Sequence, residues 1–321
     1  MIDSTEKEIE HNIDNPMVVI YADDNTPSCN AENLEDLEKK TEEIAEKAVN
    51  WFIRNEMIVS SEKTKVLLMG SHRNRASKIP ANHKAKIEIN KEKVDTSKSE
   101  KLLGIVIDET YSWYPHLYGD SENMGLIRTL SQRVGILTKL RKFTKPKQFV
   151  PLLNGIFMSR LLYGITAWGC VSGIPGCPND YRSGFTKQDL LRIQALQNKA
   201  LRLINWSDSS LSTKSLLQQS NMLSVNQLIA YHILVQSYNI KISQKPDYHF
   251  QRLFKCDKKA IRSKDINRVE FRLNVGRSSY FYQASRLWIA LPMKVKECSS
   301  LGGFKSLLKK WIIETIPIKP V

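Results

Sequence analysis

Two carboxylates stand side by side at Asp23 and Asp24, directly after the apolar run Met17 to Ile20 and Tyr21. Residues Ala22 to Pro27 are turn formers, so a buried strand delivers the acidic pair to a tight turn. Adjacent carboxylates raise each other's pKa unless a cation neutralises them. Hard oxygen donors of this kind suit Mg²⁺, or Mn²⁺ in its place, which takes one or two carboxylates together with substrate phosphates. Such ions can bracket an in-line phosphoryl displacement, activating the attacking oxygen and stabilising the leaving one.

Other reactive residues point nowhere comparable. The five cysteines, Cys29, Cys170, Cys177, Cys256 and Cys298, are odd in number and widely spaced. They read as reduced thiols of an intracellular protein. None of the six histidines pairs with a cysteine at metal-ligand spacing, and no nucleophilic triad is suggested.

Charge supplies the second signal. The chain has 321 residues, with 48 Lys and Arg against 33 Asp and Glu. Residues 1–50 hold 14 acids and 4 bases, a net of −10, while residues 51–321 hold 44 bases and 19 acids, a net of +25. So uneven a basic balance suits a polyanion, above all nucleic acid. The bases cluster at Lys139, Arg141, Lys142, Lys145 and Lys147, with Phe143 and Phe149 interleaved. Such a cluster can hold a nucleic-acid backbone in a sequence-independent, salt-sensitive way. Trp168, Trp206, Trp288 and Trp311 read as core residues rather than stacking platforms.

The positioning elements follow from periodicity. Residues 31–55 predict a helix whose buried face is Leu34, Leu37, Thr41, Ile44, Ala48 and Trp51. Strands are expected at Lys65–Met69, at Lys86–Asn90 pairing with the run near Val94, and at Leu102–Asp108. Gly104 inside the last of these implies a bulge or close backbone approach, and Gly70–Lys84 reads as a loop. From about residue 120 the pattern turns helical. Thr186–Asp189 and Ser224–Gln227 are capping boxes, the second with a staple of Leu223 and Leu228. Val150–Val171 is a long apolar stretch centred on Arg160 and interrupted by Pro151 and three glycines. It reads as a buried helix, not a membrane span. Residues 1–16 are acidic and polar, unlike a secretory signal. The protein is therefore expected in the nucleus or cytoplasm, without a membrane partner and not secreted.

Tyr21-Ala22-Asp23-Asp24 on a strand, turn and strand resembles the active-site hairpin of reverse transcriptases. The blocks that follow come in that family's order. Ser61 to Lys65 with its apolar strand resembles the lysine-bearing palm motif. Lys101 to Asp108 with Ser112-Trp113 resembles the primer-grip segment. Leu162–Gly169, Leu196–Arg202 and Phe281–Trp311 are similar to the carboxy-terminal part of animal non-long-terminal-repeat retrotransposon polymerases of the jockey and CR1 type.

The resemblance implies an α+β fold. Residues 1–116 would form a partial polymerase palm, an antiparallel sheet with the YADD hairpin and the primer grip. Residues 117–180 would form a helical thumb-like region, and 181–321 a helical carboxy-terminal region. It further implies an RNA-directed DNA polymerase working by two-metal nucleotidyl transfer on an RNA template, a DNA primer and deoxynucleotides, within a ribonucleoprotein with the element's RNA. Asp23 and Asp24 would bind Mg²⁺. Tyr21 would pack beside the primer end, and Leu103 and Gly104 would shape the primer grip. Lys63 or Lys65 would lie near the leaving pyrophosphate. The fingers and the earlier strand with a further metal-binding Asp have no counterpart before Tyr21, so the resemblance is to an amino-terminally truncated piece, inactive alone. Two other readings stand beside it: a non-catalytic nucleic-acid-binding remnant, and a group II intron maturase-like protein.

Overall fold

The chain divides into two units, Met1–Tyr111 and Ser112–Val321. A computed structural model describes residues 17–21, 24–80, 83, 87–89, 92–177, 184–205, 211–255, 266–271 and 274–319. The fold is α+β, mostly helical, and the strands among the described residues form four two-stranded sheets.

One amphipathic helix organises the first unit. Helix α1 (Leu34–Arg54) starts where the Asn33 side chain accepts from the Asp36 N–H at 2.8 Å. Ile44 and Trp51 are buried, as the spacing predicts. Leu34, Leu37, Ala45 and Val49 pack on a core of Leu68, Ile87 and Val94. Ile44 and Ala48 instead meet Val18 of β1 (Met17–Tyr21), which pairs antiparallel with β2 (Asp24–Ser28). Val18 is buried and Val19 exposed, the alternation of a half-buried strand.

Four more short strands follow. β3 (Lys65–Leu67) lies parallel to β6 (Asp95–Ser97), and β4 (Glu88–Ile89) pairs antiparallel with β5 (Glu92–Lys93). The pairing expected between Lys86–Asn90 and the run near Val94 is thus present, and the Val94 N–H also reaches the Ile87 carbonyl. The segment read as a loop, Gly70–Lys84, contains helix α2 (His72–Lys78). Ser71 caps it, accepting from the Asn74 N–H at 3.2 Å. None of its residues is buried, so it has no apolar period to betray it. Arg75 ties it down by donating to the Leu68 carbonyl and to Glu109 at 2.5 Å.

Leu102–Asp108 is likewise not one strand. It is the second half of a hairpin, β7 (Ser99–Leu102) with β8 (Ile105–Asp108), and Leu102 pairs with Ile105. Leu103 and Gly104 are the two turn residues, with φ of +48° and +82°. Two consecutive positive φ values are what a type I′ hairpin turn requires. Glycine adopts them freely, whereas leucine does so at a cost.

The second unit is helical. It comprises α3 (Tyr114–Tyr118), α4 (Leu126–Leu140), α5 (Pro146–Leu153), α6 (Ser159–Leu162), α7 (Ile165–Trp168), α8 (Lys187–Asn205), α9 (Thr213–Ser220), α10 (Val225–Ser243), α11 (Asp247–Phe254), α12 (Asn274–Arg277), α13 (Tyr280–Ala290), α14 (Met293–Lys296) and α15 (Leu301–Thr315). One apolar core runs from Leu117 to Ile316, shared by the stretches expected over 117–180 and 181–321. Trp168 and Trp288 are fully buried in it and Trp311 packs against it, while Trp206 lies outside the described residues. Both expected capping boxes form: Thr186 and Asp189 bond reciprocally before α8, and Ser224 and Gln227 before α10.

The apolar stretch Val150–Val171 is a broken helix rather than a continuous one. Four of its buried residues, Leu153, Phe157, Leu161 and Ile165, recur every fourth position, continuing from Phe149 just before it. That spacing lags the 3.6-residue repeat, and a π-helical turn at Asn154–Met158 takes up the difference. Arg133 donates to the Ile156 carbonyl inside that turn. Gly164, at φ +59°, then separates α6 from α7. No helix among the described residues is long and apolar enough to cross a membrane.

His116, buried beside the Trp168 ring, gives the unit a pH dependence. Burial, and secondarily the charge of Arg160, lowers its pKa from 6.5 to about 4. As pH falls, the unfolded chain takes up this proton before the folded one does. The stability held by neutral His116 is therefore full above pH 6.5 and lost as pH falls through 4. Urea unfolding of the full chain across that range should show a fall of up to about 3 kcal/mol, which His116→Phe flattens.

Candidate functional site

Tyr21 ends β1 and Asp24 begins β2, and the two face each other as the last pair of the hairpin. The acidic tetrapeptide therefore has the expected strand–turn–strand form at both of its described ends. Asp24 is exposed, with its carboxylate open to solvent. Ala22 and Asp23 lie between the paired residues and outside the described ones, as does the Tyr21 side chain. Among the described residues no three His, Cys, Asp or Glu side chains gather into a metal-holding group.

The remaining first-unit candidates lie on separate elements. Lys63 is exposed in the turn before β3, and Lys65 is exposed at its first residue. Leu103 and Gly104 form the tip of the β7–β8 hairpin, and Leu103 is about one third exposed there. An apolar side chain held outward in a left-handed backbone is a device seen at functional turns.

In the second unit, the five clustered bases fall on a single bend. Lys139 lies in the last turn of α4, Arg141 and Lys142 in a 3₁₀ turn (Arg141–Phe143), and Lys145 and Lys147 at the start of α5. Lys139, Lys142, Lys145 and Lys147 are exposed, and Phe143 between them is 85% exposed. Arg141 differs. It is buried, and its guanidinium donates to the carbonyls of Leu203 and Ile204 at the end of α8 and, at 3.2 Å, to Thr144 of its own bend. A cation at a helix C-terminus satisfies carbonyls left without partners and meets the negative end of the dipole. Arg141 is thus a positioning residue that pins the bend, while four lysines and Phe143 face solvent. Phe149, read beside them, is fully buried under the Arg141 guanidinium at 5.9 Å.

A second aromatic and basic group sits at the other end of α8. The Tyr114 and Tyr118 rings stack at 4.8 Å with an interplanar angle of 27°. Arg192 of α8 lies over the Tyr118 ring at 5.4 Å and donates to its hydroxyl at 2.7 Å. That hydroxyl donates in turn to Asp189, and burial with this bond raises the Tyr118 pKa. The i, i+4 spacing of the two tyrosines is visible in the sequence. Their partners on α8, more than seventy positions along the chain, are not.

The two roles within the basic bend separate experimentally. Arg141→Ala strands buried carbonyls and should cost about 2–3 kcal/mol in chemical unfolding. Lys142→Ala, one residue along and exposed, should stay within about 0.5 kcal/mol of the parent. Comparison with protein-family models, with curated proteins and with solved structures finds no match to this chain.

Proposed function

We propose that this chain carries the end of a palm and the following helical region of a reverse transcriptase, an RNA-directed DNA polymerase of the non-long-terminal-repeat retrotransposon kind. The observation that supports this most is the first hairpin. The pairing of Tyr21 with Asp24 puts Asp24 at the end of a hairpin, next in sequence to Asp23.

The reaction is attack of a primer 3′ hydroxyl on the α-phosphate of a deoxynucleotide. A new P–O bond forms, the bond to pyrophosphate breaks, and the hydroxyl proton is released. The donor set of Asp23 and Asp24, hard and anionic, fits Mg²⁺ or Mn²⁺, which when bound neutralises charge on the phosphates. Lys63, exposed in the turn before β3, or Lys65, exposed at its first residue, supplies positive charge and a proton to the departing pyrophosphate. Leu103 and Gly104 offer a stiff turn against which the primer end rests.

Mn²⁺ titration followed by electron paramagnetic resonance, with RNA-templated primer extension alongside, tests this reading. Asp23→Asn combined with Asp24→Asn should weaken Mn²⁺ binding at least tenfold and abolish any extension. Mn²⁺ binding that is the same in parent and double variant sinks the proposal.

A second reading, nucleic-acid binding without catalysis, is favoured by the charge of the helical unit. Residues 112–321 carry 32 Lys and Arg against 11 Asp and Glu, a net of +21. Four of those bases, Lys139, Lys142, Lys145 and Lys147, are exposed on one bend. Each phosphate contact contributes about 0.7–0.9 to the slope of log affinity against log salt. Changing all four lysines to Gln should therefore lower that slope by about 3 in anisotropy titrations. A slope unchanged by the substitutions would show that the bend does not touch the backbone.

A further inference from the structure

We propose that the exposed ring of Tyr114 is a stacking platform for an unpaired nucleobase, with Arg192 placed to meet the adjoining phosphate. The proposal rests on the reading of the helical unit as nucleic-acid binding. It adds a site that neither the charge count nor the basic bend defines.

Tyr114 is 61% exposed, although its ring stacks on Tyr118. An aromatic ring left open to water after it has found an aromatic neighbour still has a π surface to cover. Tyr118 beneath it is fixed, its hydroxyl donating to Asp189 and accepting from Arg192. Asp189 is itself held by the Thr186 N–H at 2.8 Å and the Thr186 hydroxyl at 2.7 Å. The Tyr114 backbone is constrained on both sides, by Trp113 at φ +58° before it and by Pro115 after it. Its N–H donates to Ser112 Oγ at 3.2 Å. A platform ordered beforehand loses little entropy when a ligand lands on it.

The surrounding charge selects the ligand. Arg192 is exposed beside the stack. The Asp189 carboxylate is engaged by Tyr118 and Thr186. Asp120 in the next turn is folded onto its own loop, accepting from the N–H groups of Glu122 and Asn123. A flat aromatic surface with an arginine beside it, in a unit of net +21, suits a base joined to a phosphate. Every base has a π face, so the site tolerates any sequence. It requires only that the base be unpaired.

The test uses the full chain and a fluorescein-labelled oligothymidylate, read by anisotropy. Tyr114→Ala should weaken binding about tenfold, within the range that loss of one base–aromatic stack gives. Tyr114→Phe, which keeps the ring, should bind as the parent does. An oligomer with abasic sites keeps its phosphates and should bind the parent and Tyr114→Ala alike. If the parent binds oligothymidylate and Tyr114→Ala binds it equally well, the platform is overturned while the nucleic-acid reading stands. The same holds if the alanine variant weakens the abasic oligomer just as much. If the parent binds no oligonucleotide at all, both fall. Unchanged thermal unfolding of the alanine variant excludes a folding defect.

Discussion

A helix that buries polar side chains among its aliphatic ones must find a partner for each of those polar groups, and helix α10 imposes that constraint on the second unit. Its buried residues include Asn226, Gln227, Ser237 and Tyr238 besides its aliphatic ones. Buried polar groups without partners would each cost about 1–3 kcal/mol. Here they become fasteners. Asn226 accepts from the Ser172 N–H at 2.8 Å and donates to the carbonyls of Ser172 and Pro317. Gln227 donates to the Ile316 carbonyl at 3.0 Å. Gln283 of α13 fixes the same loop from the other side, accepting from the Val171 N–H and donating to the Gly169 carbonyl. The irregular segment after α7 and the segment after α15 are held by side-chain amides instead of by secondary structure. Gly169 is a necessary part of that arrangement. A Cβ there would stand 2.5 Å from the Ile165 carbonyl oxygen and about 3 Å from Ile229 of α10.

The same device ties α8 to α10, and through α8 it reaches both candidate surfaces. Gln194 accepts from the Val225 N–H at 2.8 Å, and Gln197 donates to the Leu223 carbonyl at 3.0 Å. The middle of α8 is thereby fixed against the start of α10. Its C-terminal carbonyls hold Arg141 and with it the lysine-bearing bend. Its first turns hold Tyr118 through Asp189 and Arg192. Each surface is ordered by contacts with α8 as well as by its own local structure. Each is a short segment docked on one end of a long helix, α3 at its start and the bend between α4 and α5 at its end, the usual way for a stable scaffold to present connecting segments that bind.

Local signals in the sequence were sufficient for some of this and blind to the rest. The face of α1, the strand–turn–strand form around Tyr21 and Asp24, and the caps at Thr186 and Ser224 depend on residues a few positions apart. Periodicity and composition report such neighbours directly. Leu103 misleads because leucine has no preference for a left-handed turn, so Leu102–Asp108 reads as continuous strand. Helix α2 is hidden because it buries nothing, and its tether through Arg75 to Glu109 crosses more than thirty residues. Within the basic cluster, Arg141 has the same charge as its four neighbours. It separates from them only because its acceptors arrive from Leu203 and Ile204. The Tyr114–Tyr118 spacing is legible, but what makes it a fixed platform comes from α8. Fold class and the acidic hairpin were open to reading; the division of bases into positioning and solvent-facing groups was not.

The length of α8 sets the scale on which the two candidate surfaces would act together. Arg192 and Leu203 are eleven positions apart on one helix, which is about 17 Å at 1.5 Å per residue. Nucleotides stacked as in a helix advance about 3.4 Å each, so on the proposed reading about five stacked nucleotides would span that length. On the proposed reading, once a strand of that length is held at one end, its second contact would be intramolecular and would multiply the affinity of the first. Each contact by itself is modest: one aromatic ring with an arginine, and four solvated lysines with a phenylalanine. The amides that lock α8 onto α10 therefore do more than stabilise the fold. They keep the spacing between the two candidate surfaces constant, which a contact linking both would require.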